Sequence, residues 1–213
     1  MRAAHRILGS KPQVVPTLVN ASLAAGQATS SPVTLTVPVG GVPRGSFLAI
    51  ACWSTWNGLA GSIADSRGNV YTMDSPSGNV VVFSCPVTTA LVAGDTITYT
   101  FGGNFANINV AVFTGVGLFR ATGADGSGTS SVTGVIAGDL VVGYGDLEGG
   151  GSGTSHNDTV SPWSALFTNV GYTGGAAQAQ LSGSYQVAPA SGTVTWTASS
   201  GTGTSIAVAY HHG

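Results

Sequence analysis

The chain has 213 residues, of which 43% are hydrophobic and only 7% are charged, and its formal net charge is −2. Ordinary globular domains carry about 25% charged residues, so this surface must be covered by hydroxyls, amides and glycine rather than by salt bridges. The apolar content excludes a disordered chain, and the absence of any run near ~18 apolar residues excludes a membrane-spanning helix. A surface that repels so weakly is typical of a protein that partners or further copies cover in use.

Basic residues are concentrated at the N-terminus. Arg2, Arg6 and Lys11 are three of the six basic residues, and no acidic residue lies among the first eleven positions. A basic segment of this kind favours an acidic protein surface, whereas three cations without interleaved aromatic rings give little affinity for nucleic acid. Because Pro12 and Pro16 lie within this region and Pro32 follows it, residues 1–30 are predicted to form an extended arm that uses these three basic side chains for docking.

Alternation of apolar and polar residues is the main pattern beyond the arm, and it is typical of half-buried strands. No window shows an apolar stripe of helical period, so the sequence predicts an all-β protein with turns and short loops between strands. The predicted strands are Val33–Val37, Phe47–Trp53, Val70–Met73, Asn79–Cys85, Thr96–Phe101, Ile108–Phe113, Leu140–Tyr144, Ala177–Val187, Val194–Ala198 and Ile206–Tyr210.

The pattern also repeats. Thr-Ile-Thr-Tyr-Thr at 96–100 returns as Thr-Val-Thr-Trp-Thr at 193–197, and the strand ending at Phe113 returns as the strand ending at Tyr210. Two pseudo-repeats of about five strands, 33–116 and 132–212, are therefore predicted within one jelly-roll-like antiparallel β-sandwich that spans residues 31–213. Two small sandwiches are the alternative, because Ala121–Ser131 has the composition of a linker.

Several acidic residues lie where turns are expected. Gly94-Asp95 and Gly138-Asp139 each precede a strand, which predicts that both aspartates bind local backbone rather than act as catalytic acids. The group Asp65–Asn69, with sequence Asp-Ser-Arg-Gly-Asn, has the composition of a tight β-turn. Its serine lies outside any Gly-x-Ser-x-Gly elbow and has no base nearby in sequence, so no catalytic residue is predicted.

Metal ligands are densest in the loop 146–158, where Asp146, Glu148, His156 and Asp158 could offer atoms to Ca²⁺. The loop lacks the Asp-x-Asp-x-Asp-Gly spacing of a calcium loop, which favours a solvated glycine-rich loop. No Cys/His zinc spacing, Walker loop or dinucleotide fingerprint is present, so neither a metal nor a cofactor is predicted.

The cysteines and two tryptophans complete the candidates. Cys52 and Cys85 each lie within an apolar run, which favours buried thiols over a bridge. Trp56 and Trp163 lie in loop-like settings and are candidate glycan contacts, because sugars stack on exposed aromatic rings. Trp196 replaces Tyr99 in the repeat and is predicted to lie in the core.

Three motifs carry a family resemblance: Asp-Ser-Arg-Gly-Asn-Val-Tyr-Thr at 65–72, Ala-Gly-Asp-Thr-Ile-Thr-Tyr-Thr-Phe at 93–101 and Ala-Gly-Asp-Leu-Val-Val-Gly at 137–143. In these motifs the chain resembles β-sandwich virion structural proteins of tailed bacteriophages, of the kind found in phages of actinobacteria. The resemblance implies a non-enzymatic capsid-decoration (cement) protein, assembled in the host cytoplasm and located in the virion.

The resemblance also implies partners. Capsid or tail subunits would form a lattice on which Arg2, Arg6 and Lys11 dock, and the protein would be a homo-oligomer, a trimer by analogy with other decorating proteins. Nucleic acid and membrane are not expected partners. The alternative is a minor tail protein or a glycan-binding adhesion module that uses Trp56 or Trp163.

Overall fold

The computed structural model describes residues 14–54, 61–103, 105–125, 128–148, 161–171, 179–198 and 203–213. Every regular element in these ranges is a β-strand, and every strand pair is antiparallel, so the predicted all-β antiparallel β-sandwich is confirmed. Within the same ranges there is no helix of the length and apolarity needed to cross a membrane. The strands are β1 (Thr17–Ala28), β2 (Val33–Thr36), β3 (Phe47–Ser54), β4 (Ser62–Asp65), β5 (Thr72–Ser77), β6 (Val80–Pro86), β7 (Thr96–Thr100), β8 (Ala106–Thr114), β9 (Val116–Asp125), β10 (Thr129–Val135), β11 (Leu140–Glu148), β12 (Ser164–Gly171), β13 (Ala179–Val187), β14 (Gly192–Thr197) and β15 (Ser205–His212).

The strands form four sheets. The first outer sheet has the order β2-β7-β4, and the first inner sheet has the order β1-β8-β3-β6-β5. The second inner sheet has the order β12-β13-β11-β15-β9, and the second outer sheet is the pair β10-β14. Read in chain order, the two inner sheets have the same arrangement: the first strand of each half pairs with the last, and the last pairs with the third.

Three hydrophobic clusters hold these sheets together in four layers. The first cluster joins the first outer sheet to one face of the first inner sheet, through side chains such as Leu35 and Ile50. The second cluster lies between the two inner sheets and includes Phe47 and Val208. The third joins the second inner sheet to the second outer sheet around Trp196. Both inner sheets are therefore covered on both faces.

The four layers correct three expectations. The sequence favoured a single two-sheet sandwich, but the two inner sheets pack against each other, because their strands are apolar on both faces. Residues 17–28, assigned to the extended arm, instead form the edge strand β1 paired with β8, while residues 1–13 lie outside the described residues. The candidate linker 121–131 instead supplies the end of β9 and the start of β10, and its Ala121 packs against the third cluster.

Two hydrogen bonds cross between the inner sheets, the first buried and the second partly buried. The Trp53 indole Nε1 donates to Asp146 Oδ2 at 2.9 Å, and the Tyr210 hydroxyl donates to Asp74 Oδ2 at 2.7 Å. Burial raises the pKa of Asp74 to about 6, although the hydrogen bonds from Tyr210 and Ser84 act in the opposite direction. The aspartate at 74 is thus accommodated at an energetic cost when it is ionised.

Glycine in β11 makes room for the second outer sheet. The Trp196 ring is fully buried against the backbone of β11. A Cβ added to Gly143 would overlap that ring, and one added to Gly145 would lie 2.6 Å from Trp196 Cη2. Both glycines are thus required by close approach of a large side chain rather than by backbone conformation.

We expect Gly143→Ala to lower the free energy of unfolding by about 1–3 kcal/mol, because the added methyl group forces the buried indole of Trp196 to move. Urea denaturation followed by tryptophan fluorescence measures the change. Gly102→Ala is the matched control, since nothing lies within 4 Å of a Cβ at that position. Equal stability of the two variants would contradict the packing of Trp196 on β11.

The raised pKa of Asp74 predicts a pH-dependent stability difference. The pKa of Asp74 is about 6 in the native state, whereas the ordinary pKa of an aspartate carboxyl is 3.8, so the contribution of Asp74 to stability falls as pH rises through this window. The difference in free energy of unfolding between the Asp74→Asn variant and the parent chain should therefore shift by about 1–3 kcal/mol in favour of the variant between pH 4 and pH 7.5. Denaturant titrations at both pH values measure this gain.

Asp95→Asn is the control, because its pKa is shifted in the other direction. The Arg67 guanidinium and the Val92 amide lower the pKa of Asp95. This carboxylate stabilises the fold above its unfolded pKa and loses that contribution as pH falls. The control should thus lose stability near neutral pH and lose less in acid. A parallel pH response of the two variants would refute the assignment for Asp74.

Candidate functional site

The Asp65–Asn69 group forms the turn that the sequence predicts. The Asp65 Oδ1 atom accepts hydrogen bonds from the Arg67 and Asn69 amides at 2.8 and 3.1 Å. Its Oδ2 atom accepts from Asn69 Nδ2 at 2.9 Å and from the Tyr71 hydroxyl at 2.8 Å. Burial raises the pKa of Asp65, but these hydrogen bonds outweigh it and the net shift is downward.

Asn69 joins this turn to the loop after β6. Its Oδ1 atom accepts from the Thr88 amide, the Thr88 hydroxyl and the Thr89 amide at 2.9, 3.1 and 2.8 Å. Its Nδ2 atom donates to Thr89 O, and to Asp65 as described above. The buried amide therefore uses both donors and its acceptor, which is the pattern of a structural residue.

Ser66 and Arg67 link the same turn to the turn before β7. The Ser66 hydroxyl donates to Asp95 Oδ1 and accepts from the Thr96 amide, each at 3.1 Å. The Arg67 Nε atom donates to Asp95 Oδ2 at 2.7 Å, and the Val92 amide donates to the same oxygen. The structure thus confirms Asp95 as a turn residue. The Ser66 hydroxyl acts both as a hydrogen-bond donor and as an acceptor in this junction.

A second polar cluster, which the sequence did not predict, surrounds Asp139 at the start of β11. His211 Nδ1 and His212 Nδ1 lie 3.1 and 3.2 Å from Asp139 Oδ1. On the other oxygen, Asp139 Oδ2 accepts from the Ile136 amide at 2.9 Å and lies 2.6 Å from Arg120 Nε. We call Asp139, His211, His212 and Arg120 the Asp139 cluster.

Strand register explains why these side chains meet. Leu140 pairs with Tyr210, so Asp139 and His211 are the next positions on neighbouring strands. Consecutive residues of a strand normally point to opposite faces, but the pairing of β15 with β9 is irregular between Tyr210 and His212. A bulge of this kind redirects a side chain, which allows both imidazoles to face one carboxylate.

Burial and hydrogen bonding act in opposite directions on the carboxyl group of Asp139. Asp139 is fully buried, whereas the side chains of His211, Arg120 and His212 are 49%, 22% and 17% exposed. Burial raises the pKa of Asp139, but the Ile136 amide, the histidines and Arg120 together produce a net lowering. Asp139 is therefore an ionised, buried carboxylate surrounded by nitrogen atoms of partly exposed side chains.

The turn prediction for Asp139 is correct, but it covers only half of this residue's contacts. The Ile136 amide bond to Oδ2 is the predicted local contact. The contacts through Oδ1 depend on the pairing of β11 with β15, which brings together residues more than seventy positions apart. The only sequence signal was the adjacent pair of histidines at 211 and 212.

Other candidate residues are placed differently. Arg2, Arg6, Lys11, Trp56, His156 and Asp158 lie outside the described residues. Trp163 is only 7% exposed and its indole donates to Thr195 O at 3.1 Å, so the predicted exposed glycan contact is instead part of the third cluster. Asp146 accepts from Trp53 within the core rather than lying in a solvated loop.

Both thiols are buried and free, as the sequence favoured. Cys52 and Cys85 lie in the first cluster, and burial raises the pKa of both, that of Cys85 to about 12. A thiol with so high a pKa is protonated at neutral pH and is a poor nucleophile. These residues contribute packing.

Comparison with known proteins gives no family assignment: no family model matches the chain, and neither the curated proteins nor the solved structures contain a significant match.

We expect Asn69→Asp to destabilise the fold by about 2–4 kcal/mol, because a carboxylate cannot donate to Asp65 or to Thr89 O and it repels Asp65. Thermal and denaturant unfolding measure the loss. Ser66→Ala, which removes an exposed hydroxyl from the same turn, should cost less than about 1 kcal/mol. A loss in Asn69→Asp no larger than this control would show that the amide is not the centre of the junction.

Proposed function

We propose that the chain is a non-enzymatic structural protein of a bacteriophage particle, of the capsid-decoration type, which docks on a protein lattice through its N-terminal arm. Capsid or tail subunits are the proposed partners, and a homo-oligomer is the proposed state. The proposal takes its direction from the motifs at 65–72, 93–101 and 137–143, and it rests on the connectivity of the sheets.

Strand order is the observation that carries the proposal. In the first half, β1-β8-β3-β6 faces β2-β7-β4, which is the order of an eight-stranded jelly roll whose fifth strand has joined the inner sheet. In the second half, β9-β15-β11-β13 faces β10-β14 with β12 at the corresponding edge. We propose that the chain is a duplicated jelly roll, an architecture that viral capsid domains use repeatedly.

The use of the polar side chains supports a structural role. Among the described residues, Asp65, Asp95 and Asp139 order turns, and Asp74 and Asp146 accept hydrogen bonds from the opposite inner sheet. Ser66 donates to Asp95, and the contact of Asp95 with Arg67 lowers the pKa of this carboxyl, so Asp95 is a weak base for activating the hydroxyl. These groups hold loops and layers rather than a reactive centre.

A minor tail protein or a glycan-binding adhesion module is the second candidate. Its support has narrowed, because Trp163 is buried and donates its indole proton to the backbone. Trp56 remains as the proposed stacking residue. Loss of glycan binding on Trp56→Ala but not on Trp163→Phe would identify an adhesion module.

Particle incorporation tests the main proposal. In density-gradient-purified particles from a lysate of the strain that encodes the chain, we expect the protein at a fixed copy ratio to the major shell or tube subunit. Replacing Arg2, Arg6 and Lys11 together by Gln should reduce this ratio at least tenfold, because the arm loses its charge attraction for the lattice.

The matched control is Arg44→Gln, which removes an exposed cation from the body of the protein. Circular dichroism of each variant checks that the body stays folded. A chain abundant in the lysate but absent from particles would overturn the proposed function. Normal incorporation of the triple variant would overturn only the proposed docking through the arm and would leave the proposed particle role standing.

A further inference from the structure

We propose that Asp139, His211 and His212 form a binding site for Zn²⁺ at the end of the second inner sheet. One carboxylate oxygen and two imidazole nitrogens are a donor set that suits this ion, with a fourth position left for water. The site does not depend on the proposed role in a particle.

Distances between the ligand atoms fit the ion. Asp139 Oδ1 is 3.1 Å from His211 Nδ1 and 3.2 Å from His212 Nδ1, and the three ligand atoms lie within 4.8 Å of one another. Tetrahedral zinc with bonds of about 2.0–2.1 Å separates its ligands by about 3.3–3.4 Å. Two of the three separations are therefore within about 0.3 Å of a zinc shell, and the third must shorten as the exposed His211 ring closes in.

Hydrogen bonding alone does not account for the position of His211. Arg120 Nη2 lies 2.8 Å from His211 Nδ1 and can only donate, so this nitrogen would have to be unprotonated to accept. Asp139 Oδ1, 3.1 Å from the same nitrogen, can only accept when ionised, so the nitrogen would have to carry a proton. One nitrogen cannot satisfy both neighbours, whereas a cation between Oδ1 and the two Nδ1 atoms would be faced by a lone pair from each.

Arg120 acts in this proposal as the counter-charge that the metal displaces. Its guanidinium neutralises Asp139 at Oδ2, the oxygen that the zinc does not need. Arg120 lies on the edge strand β9 and is partly exposed, so its side chain can turn towards solvent. Removing this positive charge should raise the affinity for zinc. If the cluster were only an ion-pair network, the same change would lower the stability of the fold and leave zinc unbound.

The consequence of binding would be a cross-link between chain segments. Asp139 directly precedes β11, and the two histidines end β15. The terminal residue Gly213 already donates its amide to Gly115 O, which places this end of the strand beside the junction of the two halves. A bound ion would fix the end of β15 on the body of the second half.

Isothermal titration of the full chain without an affinity tag, stripped by EDTA, with Zn²⁺ at pH 7.5 tests the site. We expect one ion per chain, a loss of affinity of about a hundredfold when His211 and His212 are both replaced by Gln, and a gain of about tenfold in Arg120→Met. Zinc at a hundred times its dissociation constant should raise Tm by about 5–10 °C in the parent chain but not in the double variant. Cobalt substitution should give visible absorption bands of a tetrahedral site.

His156→Gln is the matched control, because it removes one imidazole that is not among the three proposed ligands. The zinc affinity of this variant should equal that of the parent chain. Failure of both the parent chain and Arg120→Met to bind zinc would overturn the proposal. The proposal would also be overturned if Arg120→Met bound zinc and the parent chain did not. It would likewise be overturned if the double variant still bound zinc and His156→Gln did not. Arg120→Met keeps the test valid if the double variant does not fold.

Discussion

Burial of both inner sheets on both faces is the constraint on which the rest of this structure depends. A sheet with one wet face can place charges on alternate residues, but β3 is buried along its whole length, from Phe47 to Ser54. Odd positions of that strand face the opposite inner sheet, and even positions face the first outer sheet. Each inner sheet therefore contributes side chains to two hydrophobic cores, one on each of its faces.

The scarcity of charge follows from this arrangement. The central strands of the inner sheets, such as β3 and β8, have almost no position facing water, so most ionised groups lie in turns and at strand ends, where backbone amides can bind them. Asp65, Asp95 and Asp139 all occupy such positions. Asp74, Arg120 and Asp146 are exceptions that lie within strands. Asp74 receives a hydrogen bond from the Tyr210 hydroxyl, and Asp146 receives hydrogen bonds from the Trp53 indole and the Thr204 amide. Charge in this protein mainly orders the backbone.

Local chemistry could be predicted from the sequence. The period-two alternation located nine of the strands, whereas the predicted strand Val70–Met73 shares only its last two residues with β5. The Asp-Ser-Arg-Gly-Asn group and the Gly-Asp pairs identified turns whose side chains bind nearby amides. These features depend on interactions across a few residues. Strand β7, in which Tyr99 and Ile97 are buried and the threonines face outwards, is the clearest success.

Long-range pairing could not be predicted in the same way. The apolar runs of β3 and β8 were interpreted as half-buried strands, although a continuous run also suits a strand covered on both faces, and that choice decides between two layers and four. Strands β9 and β10 are rich in Gly, Ala, Ser and Thr, so composition indicated a linker. The Asp139 cluster depends on the register of Leu140 with Tyr210, which no local pattern specifies.

The pairing of the first strand of each half with its last has a consequence for synthesis on the ribosome. Thr17 pairs with Thr114, and Val116 pairs with His212, so each inner sheet closes only when its final strand has emerged. Such distant pairings make folding slow relative to helical proteins. The first half can complete its own hydrogen bonds before the second half exists, but its inner sheet must then wait with one apolar face uncovered. During that interval the nascent chain offers to chaperones, or to another nascent copy, the same surface that its second half later covers.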